Sequence, residues 1–189
     1  MASRDPKVGR QGDESGDPTT SVATSSQNGP DKGLPTVSTA FRGIFHHALD
    51  EKGRVSLPVE FRSSLVKNGE STVVITNFIS DGARCLEGYS LNAWKRFEAK
   101  LASRSRFDPQ VRKLENYYLA RAANCSLDGS GRISISLPLR QYAGLERDIV
   151  FTSSIYGFRI WDKRVWELVF QEAEASLLED PALFMDVDK

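Results

Sequence analysis

Cysteine and histidine are scarce: 189 residues contain only Cys85, Cys125 and the adjacent pair His46-His47. There is no CxxC and no Cys/His cluster, which argues against a disulfide framework or structural zinc and fits a reducing cytosol. Neighbouring histidines on a strand point to opposite faces, so the pair cannot form one site locally. Nucleophile elbow, Walker loop and dinucleotide fingerprint are all missing. Neither cysteine has an identifiable activating partner, and both are expected to be buried small hydrophobes. No enzyme, cofactor or metal is expected. No apolar run approaches the roughly 20 residues that span a bilayer. No apolar segment of the secretory kind follows Met1, so no signal peptide is expected. An excess of one charge is lacking too, since Lys+Arg and Asp+Glu number 25 each. That excludes a strongly basic histone-like protein and an acidic disordered chain.

What is present is ordinary globular material, 40% hydrophobic and 26% charged. Residues 1–40 differ: 5 Gly, 4 Pro, 6 Ser and 5 Thr fill half of the segment, without an aromatic. Such a stretch cannot bury enough apolar surface to offset its ordering entropy, and a disordered tail is expected. The neutral total also hides local bias. Residues 84–121 hold nine Lys/Arg against four acids, and residues 163–189 three against seven.

The informative feature is an internal repeat. Its first copy runs Asp50-Glu51-Lys52-Gly53-Arg54-Val55-Ser56-Leu57-Pro58-Val59-Glu60-Phe61-Arg62. Its second runs Asp128-Gly129-Ser130-Gly131-Arg132-Ile133-Ser134-Ile135-Ser136-Leu137-Pro138-Leu139-Arg140. Each has Asp, then Gly-Arg three and four positions on, then another Arg eight after the first. Val73-Val74-Ile75-Thr76 resembles Ile149-Val150-Phe151-Thr152, and Tyr89/Trp94 matches Trp161/Trp166 in spacing. The order strand, short helix, strand, strand, helix is therefore expected twice.

Local chemistry agrees. Gly53 and Gly131 suggest positive φ in turns that Asp50 and Asp128 open. Ile133, Ile135 and Leu137 alternate with Ser134 and Ser136, which places Arg132 on the polar face of a half-buried strand. Arg54 falls likewise with Ser56. Pro58 and Pro138 suit first helical turns, although Leu137-Pro138 lies two places later after its Gly-Arg than Leu57-Pro58 does, which predicts a displaced junction. Gly69 and Gly144 sit where helix C-caps would be. Longer helices are expected near Leu91–Ser103, after Asp108-Pro109 and after Asp162, with Trp94, Phe97 and Leu101, then Val111, Leu114, Tyr118 and Leu119, then Val165, Trp166, Val169 and Phe170 as apolar stripes for core or subunit contact.

The first repeat copy resembles the signature of SpoVT/AbrB swapped-hairpin domains. The tandem arrangement, with Phe41-Arg42-Gly43, Tyr142-Ala143-Gly144-Leu145 and Ile160-Trp161-Asp162, resembles the MraZ family over about residues 41–170. The resemblance implies an α+β fold in which two half-domains interlock into a compact β-barrel flanked by helices, with subunits closing into a ring. The expected divisions are a tail (1–40), a first SpoVT/AbrB-like domain (41–92), a helical connection (93–121), a second such domain (122–168) and an acidic C-terminal helix end and tail (169–189). It also implies a cytoplasmic, nucleoid-associated regulator that represses the bacterial division and cell-wall gene cluster, its own promoter included, by binding repeated boxes in double-stranded DNA.

Arg54 and Arg132 are the leading DNA-contact candidates, because a guanidinium offers planar donors to phosphate or to guanine edges. Lys52 adds a point charge beside Arg54, and Arg42 lies near the edge of the same half. Arg62 and Arg140, on short helices, could touch phosphate or pair with acids. Asp50, Gly53, Asp128 and Gly131 are assigned to the turns. Asp50–Arg54 and Asp128–Arg132 could equally be local ion pairs that fix those turns. Ser130 stands where the first copy has Lys52, so the second is expected to be the weaker contact. The competing function is an oligomeric protein-binding scaffold or antitoxin-like assembly protein without specific DNA readout.

Overall fold

Leu49 and Leu127 each lead the chain into a reversal, and the strands that follow pair across the repeats rather than within them. The computed structural model describes residues 41–184. The expected tail of 1–40, and the acids Asp186 and Asp188, lie outside them. The elements are β1 (Ile44–Ala48), β2 (Arg54–Ser56), α1 (Val59–Lys67), β3 (Thr72–Ser80), β4 (Ala83–Ser90), α2 (Leu91–Ala102), α3 (Pro109–Tyr117), β5 (Ala123–Ser126), β6 (Arg132–Ser134), α4 (Leu137–Tyr142), β7 (Asp148–Ser153), β8 (Phe158–Asp162) and α5 (Lys163–Glu179). Each repeat thus has one strand more than the sequence suggested, β1 and β5, because short strands with exposed alternate residues leave little pattern.

Six strands form an antiparallel sheet in the order β1-β7-β8-β4-β3-β5, and β2 pairs with β6 separately. β1 of the first repeat lies on β7 of the second, and β5 of the second lies on β3 of the first. The halves interlock by this exchange. The expected closed barrel is corrected: β1 and β5 stay at opposite edges of an open sheet. Closure would require those two strands to pair. The chain turns instead at Asp50 and Asp128 and sends the next strands into the β2–β6 ladder.

The central core joins that ladder to the sheet through Val55, Leu57, Phe61, Ile133, Ile135, Leu139, Phe151, Phe158 and Ile160, all at 1% exposure or less. Leu57 and Ile135 are structural equivalents. Leu137 is a correction: it begins α4 and is 54% exposed, so strand alternation ends before it. The predicted displacement of the junction is also absent. α4 begins at the same offset from α1 that relates Asp128 to Asp50. Ser136 takes the N-cap place that Pro58 holds in the first copy, and Pro138 falls within the first turn, where its missing N–H costs nothing.

The repeat extends to the helices. Ser90 caps α2 by accepting from the Ala93 amide, and Asp162 caps α5 by accepting from the Arg164 amide. Tyr89–Trp94 and Trp161–Trp166 then pack at nearly equal ring separations, 5.6 and 5.7 Å. Asp108 caps α3, as its Asp-Pro start suggested. On α2 and α3, Trp94, Leu101 and Val111 are buried, and Phe97 and Tyr117 pack beside Tyr118. On α5 only Val169 is buried, while Leu168 and Phe170 are exposed.

Candidate nucleic-acid interface

The two Gly-Arg turns share one geometry. Asp50 Oδ1 accepts from the Arg54 amide at 2.8 Å, and Oδ2 accepts from Arg54 Nε at 2.8 Å, with Nη2 at 2.7 Å. Asp128 repeats this with Arg132: amide 2.9 Å, Nε 2.8 Å, Nη2 2.8 Å. The turn closes by a hydrogen bond from the Gly53 amide N–H to the Asp50 backbone carbonyl, and likewise from Gly131 to Asp128. Gly53 and Gly131 have φ of 77° and 72°, the left-handed region open to glycine. Hydrogen bonds from the arginine amides, then from their guanidiniums, hold both carboxyls below the usual carboxylate range. The local ion pairs weighed from the sequence are therefore present.

Arg54 and Arg132 do not project freely. On each, Nε–H donates to the turn's own aspartate and Nη2 lies in ion-pair contact with the same carboxylate oxygen, so the Nη1 edge is not taken up by that aspartate. The side chains remain 38% and 36% exposed. In the β2–β6 ladder Arg54 pairs with Ser134 and Ser56 with Arg132, with Val55 opposite Ile133 beneath them. The arginines are diagonal neighbours on one outer face, positions typically about 7–8 Å apart across antiparallel strands. Tertiary structure has thus brought residues 78 positions apart, 54 and 132, onto one small surface.

The other candidates divide. Lys52 is exposed in the first turn. Arg62 and Arg140 are half-buried and make no ion pair with a carboxylate among the described residues. Each lies against the glycine of the opposite repeat: a Cβ on Gly131 would be 2.6 Å from Arg62 Cδ, and one on Gly53 would be 2.7 Å from Arg140 Nε. Arg140 Nε donates to the Ile135 carbonyl at 3.1 Å. Arg42 is not brought to this group. It precedes β1, and that strand, some 13 Å of extended chain, separates it from the Asp50 turn. His47, on the inward side of β1, is held below the ordinary histidine value by burial and then by Arg62.

A polar cluster that the sequence did not reveal lies beneath α2 and α3. Glu87, 3% exposed, accepts from the Tyr89 and Tyr118 hydroxyls at 2.5 Å each, with Arg159 Nε 3.7 Å away. Glu87 and Tyr89 share a face of β4, but Tyr118 at the end of α3 and Arg159 on β8 reach them with no local spacing to link them. Both cysteines are buried, as expected, and burial raises their thiols to about 12 for Cys85 and about 11 for Cys125. Among the described residues, no group of His, Cys, Asp and Glu is arranged to hold a metal ion. No described helix is long and apolar enough to cross a membrane.

Against known families, the model described as "MraZ protein, putative antitoxin-like" matches residues 40–117 and again 118–187. A protein named Transcriptional regulator MraZ from Nitrosomonas eutropha is 39% identical over 135 residues, covering 71% of this chain and 89% of that protein. One of the same name from Thioalkalivibrio sulfidiphilus is 40% identical over 126 residues, 67% of this chain and 82% of its own. Another, from Haemophilus influenzae, is 36% identical over 132 residues, 70% and 86% respectively.

Proposed function

The chain belongs to the MraZ family, and on that premise we propose that it is a sequence-specific DNA-binding transcriptional regulator whose contact surface is the outer face of the β2–β6 ladder. The observation that carries this reading is the convergence of both Gly-Arg turns on that face. The guanidinium N–H groups of Arg54 and of Arg132 that the aspartates do not take up can meet phosphate oxygens or a guanine edge without breaking the turns. The aspartates then orient the guanidiniums before binding, which lowers the ordering cost on association. Lys52 adds charge on the Arg54 side only, so the first turn is the stronger contact.

The regulator acts as a repressor of the division and cell-wall gene cluster, including its own promoter, through repeated boxes upstream. Several copies close into a ring, and Leu168 and Phe170, exposed on α5, are apolar residues that such a contact would bury. A ring presents several ladders at once, so weak individual contacts multiply through effective concentration.

Fluorescence anisotropy with DNA from upstream of its own operon, against a scrambled duplex at several salt concentrations, tests this. Tighter binding to the upstream duplex that weakens steeply with salt is expected. Arg54→Ala should lose that binding while the protein stays folded. Equal weak binding to both duplexes, or an Arg54→Ala/Arg132→Ala protein with unchanged affinity, overturns the reading.

A further inference from the structure

Arg62 and Arg140 occupy equivalent places in the two repeats, and each reaches out of its own repeat. Arg62, on α1, lies where a side chain on Gly131 would stand, its Cδ 2.6 Å from that Cβ position. Arg140, on α4, lies over Gly53 in the same way. The backbone crosses in parallel: the Leu57 amide donates to the Gly131 carbonyl at 3.1 Å, and the Ile135 amide to the Gly53 carbonyl at 2.8 Å. Arg140 Nε donates to that same Ile135's carbonyl, while Arg62 Nε is buried without a hydrogen-bond partner among the described residues. Each Gly-Arg turn is therefore seated on a strand end and an arginine from the other repeat.

We infer that Arg62 and Arg140 are positioning residues that act crosswise, Arg62 holding the turn that carries Arg132 and Arg140 holding the turn that carries Arg54. The two turns are then one composite element, which neither repeat can build alone. A glycine at positive φ has many alternative conformations, and a guanidinium laid against it removes them. Direct phosphate contact is the other use of these arginines. The buried Nε of Arg62 and the Arg140 bond to a backbone carbonyl both turn that edge inward. The functional half of this inference rests on the DNA-binding reading, whereas the structural half does not.

Amide exchange on the full chain separates the two halves. The Gly131 and Arg132 amides are bonded within the second turn, and Gly53 and Arg54 within the first. Arg62→Met should speed exchange at Gly131 and Arg132 about tenfold and leave Gly53 and Arg54 as they were. Arg140→Met should do the reverse. If a methionine variant fails to fold, Arg62→Lys and Arg140→Lys, which keep a charged stem but lose the guanidinium plane, are measured at the same amides. Exchange that rises in the variant's own repeat, in both turns equally or in neither overturns the crosswise assignment.

With upstream DNA, Arg62→Met and Arg132→Ala should be non-additive in affinity, while Arg140→Met and Arg132→Ala should add. The salt slope should stay unchanged in Arg62→Met. A slope smaller by about one would make Arg62 a phosphate contact and refute the positioning role. Should the wild-type chain not prefer upstream DNA at all, the DNA reading fails, and the exchange rates still decide the crosswise lock.

Discussion

Arg62 of the first repeat lies against Gly131 of the second, filling the space that any larger residue there would need. Gly131 is thus constrained twice, by a φ of 72° and by an arginine. Gly69, in the C-cap of α1 at φ 68°, has nothing within 4 Å of a Cβ. Replacing Gly69 with Ala should cost only the left-handed backbone penalty, about 1–2 kcal/mol. Gly131→Ala, and Gly53→Ala against Arg140, should each cost more, since the arginine must also move. Urea unfolding of the three variants measures this, and equal losses would contradict it.

Asp50 and Asp128 titrate below the usual carboxylate value because the arginine amide and guanidinium bond to the ionised form. A carboxyl lowered in the folded state contributes stability that is present above the unfolded value of about 3.9. That contribution is lost as pH falls from there through the folded value. Both carboxyls should show depressed midpoints by NMR titration. Asp128→Asn should flatten the acid limb of the stability curve, and an unchanged limb would show that the turn gains nothing from the charge.

Tyr118→Phe removes one of two hydroxyls that donate to the buried Glu87 carboxylate. The loss should be about 1–3 kcal/mol, the penalty for under-satisfying a buried charged acceptor. Burial, and next the Glu87 charge, push the Tyr89 and Tyr118 phenols far upward. Neither should ionise at alkaline pH until the chain unfolds. Phenolate absorbance rising before the unfolding transition, by more than the exposed tyrosines supply, would count against the buried cluster.

Cys85 and Cys125 should resist Ellman's reagent in the native protein near pH 8, because both thiols are buried and raised to about 12 and about 11. Denaturant should make both react at once. Rapid native labelling of either would mean that its strand opens readily.

Much of this arrangement was written locally. Asp50-x-x-Gly53-Arg54 and its copy specify a turn whose internal hydrogen bonds all fall within four residues. The same holds for the caps at Asp108 and Asp162 and for the Gly69 and Gly144 helix ends. Leu137 shows where local pattern fails. Alternation continued through it in sequence, but the helix beginning there turned it outward, in register with Val59.

By itself, then, the sequence determined the duplication, the turns and the periodic faces, since these depend on neighbours a few residues apart. The tertiary structure alone decided that β1 and β5 exchange partners, that the sheet stays open, and that Arg54 and Arg132 share a face. It also decided that Arg62 and Arg140 serve each other's turns and that Glu87 finds Tyr89 and Tyr118. Apart from Glu87 and Tyr89, neighbours on one strand, these are pairings between residues tens of positions apart. They are selected by burial and packing over the whole chain, which no short window of residues contains.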